Sequence, residues 1–256
     1  MKSVGNTEWF LKIKWCCMEY RAKENRTISG IIFIAILCVA AIQAGCQSTR
    51  CGQISDKQGF ISLFDGKTLN GWIAYKEAGE EVVLPESGFE VQDGCIHVTG
   101  CGKLGKAYWL ATKEAYGDFT LRLECKLTDK ANSGIFVRSP GPDFPAYKGF
   151  EIQILDTYGE APTATSAGAI YDILTPMRNM GSKPGEWNQV EVTCRGRQVV
   201  IIWNGFSVIN ADLGQLTQPV GQWKMAYADK PLKGILGLQN HCNELWFRNI
   251  QIKKLN

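Results

Sequence analysis

Glu151, Gln153, Arg138 and His241 are the residues whose types and spacing best suit joint action on a hydroxyl-rich ligand. Glu151 and Gln153 flank Ile152 in Gly149-Phe-Glu-Ile-Gln-Ile154. Side chains along a strand alternate between faces. With Phe150, Ile152 and Ile154 turned to a core, Glu151 and Gln153 turn away from it together. The same count sets Phe136 and Arg138 opposite Ile135 and Val137, and Arg122 and Glu124 opposite Leu121 and Leu123. It also sets Gln239 and His241 opposite Leu236 and Leu238. If these strands are neighbours in one sheet, a carboxylate, amides, a guanidinium and an imidazole share one surface. Such planar polar groups pair with sugar hydroxyls, and aromatic rings cover the apolar faces of a pyranose. Trp109, Tyr108, Tyr147, Tyr158 and Tyr171 offer such rings from the intervening loops. The plainer reading is that any exposed sheet face carries Glu, Gln and Arg. His241 stands apart, because His97 is the only other histidine and Gln239-Asn240-His241-Cys242 is a polar cluster at a strand end.

The spacing argues against familiar hydrolytic machinery. A retaining glycosidase uses two carboxylates about 5 Å apart, often as Glu-x-Asp-x-x-Glu on one strand. Here the strand reads Glu151-Ile-Gln-Ile-Leu-Asp156. Asp156 has the opposite parity to Glu151, so it belongs to the strand end or the next loop, as a ligand contact. Gly-x-Ser-x-Gly, His-Glu-x-x-His and phosphate-loop patterns are absent from the sequence.

The elements that must position these residues read as strands. Phe119, Leu121, Leu123, Cys125 and Leu127 alternate with Thr120, Arg122, Glu124 and Lys126. Val190, Val192 and Cys194 repeat the pattern. Arg195-Gly-Arg197 makes a turn before Gln198-Val-Val-Ile-Ile-Trp203, and Asn204-Gly205 is a hairpin signal. Residues 234–238 and 245–252 close the chain as strands, and only 112–117 hints at a helical turn. Short strands, Gly/Pro punctuation and no βαβ rhythm predict an all-β, two-sheet jelly-roll sandwich over 60–256.

Residues 1–46 follow other rules. The apolar run 31–41 is preceded by Arg21, Lys23 and Arg26 and followed by Ala44-Gly45-Cys46. That order is a secretory signal, and the run is short of the roughly 20 residues of a bilayer span. Ala-Gly-Cys resembles the bacterial lipobox, with Gln43 where Leu is usual; it implies lipidation of Cys46 and cleavage before it. A conventional signal peptide with a coincidental cysteine is the alternative. Met18 is the expected translation start, because Trp9-Phe10-Leu11 and Trp15-Cys16-Cys17 do not suit a signal's first segment. Gln47-Ser48 lacks the Asp that retains lipoproteins at the inner membrane, so periplasmic, outer-membrane attachment through the lipid is expected, after a polar linker over 47–59.

A net charge of +3 with no basic run after the signal argues against nucleic acid. Six cysteines follow Cys46, at 51, 95, 101, 125, 194 and 242. Export permits disulfides, and six cysteines allow fifteen full pairings. A short Cys95–Cys101 bridge is one expectation; Cys125 and Cys194 fall at inward positions as small core residues. No C-x-x-C pair supports a zinc knuckle.

Seven motifs then coincide in order. They are Phe64-Asp-Gly-Lys-Thr-Leu-Asn-Gly-Trp72, Tyr116-Gly-Asp-Phe-Thr-Leu-Arg-Leu-Glu124, Asn132-Ser-Gly-Ile135, Gly149-Phe-Glu-Ile-Gln-Ile154, Gly168-Ala-Ile-Tyr171, Glu186-Trp-Asn188 and Trp246-Phe-Arg-Asn-Ile250. Together they resemble the 3-keto-disaccharide hydrolase domain over residues 60–256. The resemblance implies a concanavalin A-like jelly roll and cleavage of 3-keto-glycosides. Such cleavage needs a base, an enolate stabiliser and a proton donor for the leaving oxygen. Glu151 or His241 is expected as the base. Arg138, or a divalent cation held by Glu151 and His241, is expected as the stabiliser. Gln153, Trp109, Asp156, Tyr171, Gln239, Asn240 and Glu124 are the expected sugar contacts. Asn240-His241-Cys242 departs from the family's Asp-His-Gly, losing a carboxylate beside the histidine. A non-catalytic, lectin-like lipoprotein using the same groove is the competing reading, and an ordinary β-glucanase a third.

Overall fold

The computed structural model describes residues 56–101 and 108–256. The expected leader, the Cys46 lipidation site, most of the linker and Cys51 lie outside the described residues.

The described residues build two antiparallel sheets. The larger joins β1 (Ile61–Ser62), β4 (Phe89–Gln92), β5 (Cys95–Thr99), β7 (Phe119–Leu127), β10 (Trp187–Arg195), β11 (Gln198–Trp203), β12 (Phe206–Asp212) and β14 (Glu244–Lys254). Its order is β12-β11-β10-β7-β14-β5-β4, with β1 also on β14. The smaller runs β3-β2-β6-β13-β8-β9, from β2 (Trp72–Lys76), β3 (Glu81–Val82), β6 (Tyr108–Tyr116), β8 (Asn132–Ser139), β9 (Phe150–Leu155) and β13 (Gly234–Asn240). One short helix, α1 (Pro145–Lys148), interrupts the chain between β8 and β9. This is the jelly-roll sandwich.

Period-two alternation is what makes the sandwich close. Phe119, Leu121, Leu123, Cys125 and Leu127 of β7 meet Phe150, Ile152 and Ile154 of β9 in one buried cluster. Cys125 and Cys194 are fully buried, free cysteines within it. Asn204 and Gly205 both take positive φ, 49° and 82°, as a two-residue hairpin between β11 and β12 requires. Trp72, also in the core, donates its indole N–H to the Leu63 carbonyl at 2.7 Å.

Two local expectations are corrected. Residues 112–117 do not form a helical turn: Thr112 to Tyr116 continue β6, paired to β2 and β13. The pairing of Ala115 and Tyr116 with β13 and the Lys113 N–H bond to the Gly71 carbonyl outweigh the helical preference of Lys113, Glu114 and Ala115. A register shift opposite Ile235 and Gly237 absorbs the irregularity. The cysteine pairing also differs. Cys101 bonds Cys242, and Cys95 is free and buried. Cys95 begins β5 and Cys101 lies just beyond its end, so the strand itself holds them apart.

Candidate functional site

The outward face of the smaller sheet carries the site. Trp109 pairs with Gln239 across β6 and β13; Gly134 pairs with Gln153 and Phe136 with Glu151 across β8 and β9. Because Phe150, Ile152 and Ile154 fill the core, Glu151 and Gln153 emerge on the opposite face, as parity requires. His241 follows β13 directly and keeps the parity of Gln239. These side chains line a cavity of about 380 Å³, within the ordinary size of small-ligand sites.

Two glycines make the floor. A Cβ at Gly134 would stand 2.1 Å from Glu151 Oε1, and one at Gly237 would stand 2.1 Å from the Trp109 ring. The absent side chains are the space that carboxyl and indole occupy. Trp109 donates to the Pro142 carbonyl at 3.0 Å and meets Phe136 edge-on at 5.5 Å between centroids. Three segments wall the floor. Residues 166–174 run along the free edge of β9, with Tyr171 N–H donating to the Glu151 carbonyl at 2.9 Å. The second wall is α1, with Phe144 at its start. The third is Gln222-Trp223, whose indole meets the Tyr147 ring at 5.7 Å. The buried Lys230 ammonium donates to the Tyr147 carbonyl from behind and lies over the Tyr147 and Tyr227 rings.

The electrostatics centre on Glu151. Its residue is only 6% exposed, and loss of hydration pushes its carboxyl from the usual 4.5 up to about 8. No cation pairs with it among the described residues; the recorded ion pairs lie elsewhere. Beside it, Gln153 Nε2 donates to Asn132 Oδ1 at 3.4 Å. Among the described residues, Gln239 Oε1 and the Tyr108 hydroxyl are buried without a hydrogen-bond partner. An unmet buried polar atom costs about 1–3 kcal/mol, and both border the cavity, where a ligand hydroxyl would meet them. Desolvated acid, unpaired amide and glycine-made space together describe a binding floor.

Not every expected residue is there. Glu151, His241, Gln153, Gln239, Trp109 and Tyr171 all line the cavity. Trp109 and Tyr108 do so from β6, not from loops. Arg138 does not. Its φ of 54° at the end of β8 turns it away, and it donates to the carbonyls of Gly117 and Gly196 and to Asp118. It is a buried structural tie and cannot stabilise an enolate. Asn240 has the inward parity, is fully buried, and donates to the carbonyls of Ser87 and Gly100. Glu124 lies on the other sheet, paired with Arg248 at 2.7 Å. Asp156 caps backbone N–H groups of Lys130 and Tyr158. Tyr158 is exposed, beneath Lys183. Asn132, Glu77, Phe144 and Trp223 are cavity residues that sequence reasoning missed. Asn132 and Phe136 share the parity of Gly134, which was a usable signal; nothing marked the other three.

A divalent cation does not fit this donor set. Among the described residues no three His, Cys, Asp or Glu side chains gather as ligands. Glu77 also lines the cavity but does not gather with Glu151 and His241 into such a group; the other polar neighbours are neutral amides and tyrosines, and Glu151 sits where its proton is favoured.

Residues 59–253 match the model of the 3-keto-alpha-glucoside-1,2-lyase-like domain. The chain belongs to that family. A 3-keto-disaccharide hydrolase of Bacteroides thetaiotaomicron is 30% identical over 239 residues, covering 78% of this chain and 80% of that protein. A crystal structure from Parabacteroides distasonis, provisionally described as a glycosyl hydrolase, superposes with TM-score 0.64 at 29% identity. It covers 77% of this chain and 99% of its own. A second from the same organism, at 23% identity and TM-score 0.61 over 80% and 99%, shares the fold.

Proposed function

We propose that the protein cleaves the glycosidic bond of 3-keto-disaccharides or 3-keto-glycosides by elimination and hydration, with Glu151 as the base. The observation that carries this reading is the desolvated Glu151 carboxyl on a polar floor. A C3 ketone acidifies the proton on C2. Glu151 takes that proton, and the C2–H electron pair becomes the enolate. Collapse of the enolate forms C1=C2 and expels the C1 oxygen, which takes a proton from His241 at the cavity mouth. Water then adds its hydroxyl to C1 as its other proton passes to His241, and Glu151 returns its proton to C2, which restores both residues. The first half is a lyase reaction and the sum is hydrolysis, which reconciles the family's description with the relative's name.

The residues suit these roles. A base works best with a pKa near the operating pH, and burial brings Glu151 there. Amide N–H groups of Gln153 and Gln239 are the available donors to the enolate oxygen and neighbouring hydroxyls. Membership of the family and the match to a named hydrolase support the substrate class.

The test incubates the protein in D₂O with a 3-keto-disaccharide and, separately, its unoxidised parent. Cleavage of the keto sugar alone, with deuterium at C2 of the released sugar, is expected. Cleavage of the parent at a comparable rate would refute the reading. Binding of the keto sugar without cleavage would leave a lectin-like protein.

A further inference from the structure

We infer that the Cys101–Cys242 disulfide is a positioning device that holds His241 at the cavity mouth; the inference rests on the role given to His241 above. The two histidines of this chain are held in opposite ways. Both ring nitrogens of His97 are taken, by Glu90 at 2.9 Å and Glu244 at 3.0 Å, and its ring stacks on Trp246. The His241 imidazole has no hydrogen-bond partner among the described residues, although it lines the cavity. Its place is therefore set by its backbone, the three-residue turn 241–243 between β13 and β14.

That turn is pinned on every side. Asn240 accepts the Cys242 N–H at 2.9 Å, while its own amide donates to the carbonyls of Ser87 and Gly100 at 3.0 and 2.7 Å. Asn243 accepts the backbone N–H of Asn132, a residue of the cavity floor, at 3.1 Å. Cys242 itself takes φ of 65°, a left-handed conformation that glycine adopts freely and cysteine does not. The disulfide, spanning 141 residues, holds it there. A cysteine next to the imidazole, in a glycine conformation and bonded to the segment that Asn240 also grips, makes one brace with two arms. Its effect falls on the residue between them.

Breaking the link should then displace His241 and spare the rest. In Cys101→Ser, kcat should fall about 10- to 100-fold, the scale of losing catalytic alignment, while KM changes less than about threefold. The His241 ring resonance should shift and narrow in proton NMR, and the His97 resonance should stay. Adding Cys242→Gly, which suits the turn's backbone, should recover part of kcat. Unchanged kcat and an unchanged His241 resonance in Cys101→Ser would overturn the inference. So would joint movement of both histidine resonances, or loss of the fold in both variants, which would make the disulfide a general staple. If His241→Asn proves fully active, the catalytic role of His241 fails. The His241 resonance in Cys101→Ser still decides whether the disulfide holds the ring.

Discussion

Replacing Glu151 with Gln should abolish turnover and, at neutral and alkaline pH, make the protein more stable. The folded state raises this carboxyl from the usual 4.5 to about 8. Between those values the folded protein holds a proton that the unfolded chain has released. Stability therefore falls as pH rises through that window and is level above it. One pH unit is worth about 1.4 kcal/mol, so the penalty reaches about 3 kcal/mol at pH 7 and about 5 kcal/mol above pH 8. Gln keeps the shape without the charge. Its amide meets no partner on the floor, which costs about 1 kcal/mol, leaving a net gain of about 2 kcal/mol at pH 7. For a domain of this size that raises Tm by about 4–8 °C.

Thermal unfolding of both proteins at pH 4, 7 and 9 checks this. The difference should vanish or reverse at pH 4, where both side chains are neutral, and be largest at pH 9. Equal Tm values at all three would refute the claim that Glu151 is desolvated and unpaired. A variant destabilised most at pH 9 would show instead that the carboxylate is stabilised by a charge or donor.

Four further outcomes follow from the same geometry. Because the base must be ionised, kcat/KM for a nitrophenyl substrate, whose leaving group needs no proton from His241, should rise about tenfold per pH unit below about 8 and level off above. Burial also pushes the Lys230 ammonium down to about 8, so the profile should be repeated in Lys230→Arg, where the limb should persist; a rate that falls above pH 8 would make Glu151 an acid. His241→Asn should lower kcat about 10²–10⁴-fold for a poor leaving group, and much less for a nitrophenolate that needs no proton; equal losses would remove His241 from the leaving-group role. Gly134→Ala should push the Glu151 carboxyl off the floor, lowering kcat more than tenfold at a core-overpacking cost of about 1–3 kcal/mol, both read from kinetics and melting on one preparation. Cys46→Ala should move the expressed protein from the membrane fraction to the soluble one, and unchanged partitioning would count against lipidation.

Strand parity makes half of this site legible in the sequence. Glu151, Gln153, Gln239 and His241 share the outward face because their apolar neighbours fill the core, and that count needs only the sequence. Parity says which side of a strand a residue leaves, but not which sheet the strand joins. Glu124 has the right parity on β7, yet β7 lies in the other sheet, where Glu124 meets Arg248. Nor does parity survive a change of backbone: Arg138 counts as outward in the sequence, but φ of 54° sends it to Gly117 and Gly196. Phe144 and Trp223 were out of reach because loops bring them in. The partner of Cys101 was also out of reach, lying 141 residues away.

The loop that closes the site also explains why one acid in it is weak. β9 is the last strand of its sheet, and an exposed strand edge invites unwanted pairing. Residues 168–171 cover it, through Gly168 N–H to the Gln153 carbonyl, Gln153 N–H to the Ala169 carbonyl, and Tyr171 N–H to the Glu151 carbonyl, each at 2.9 Å. These bonds satisfy the backbone and lay Tyr171 against the cavity. They also shut water out beside Glu151, whose carboxyl fits only because Gly134 has no side chain. Protection of the edge and desolvation of the acid thus come from one segment. A change that loosens 168–171, such as Gly168→Val with φ of 79° and Trp203 only 3.3 Å from the added Cβ, would lower the Glu151 pKa and weaken the base together.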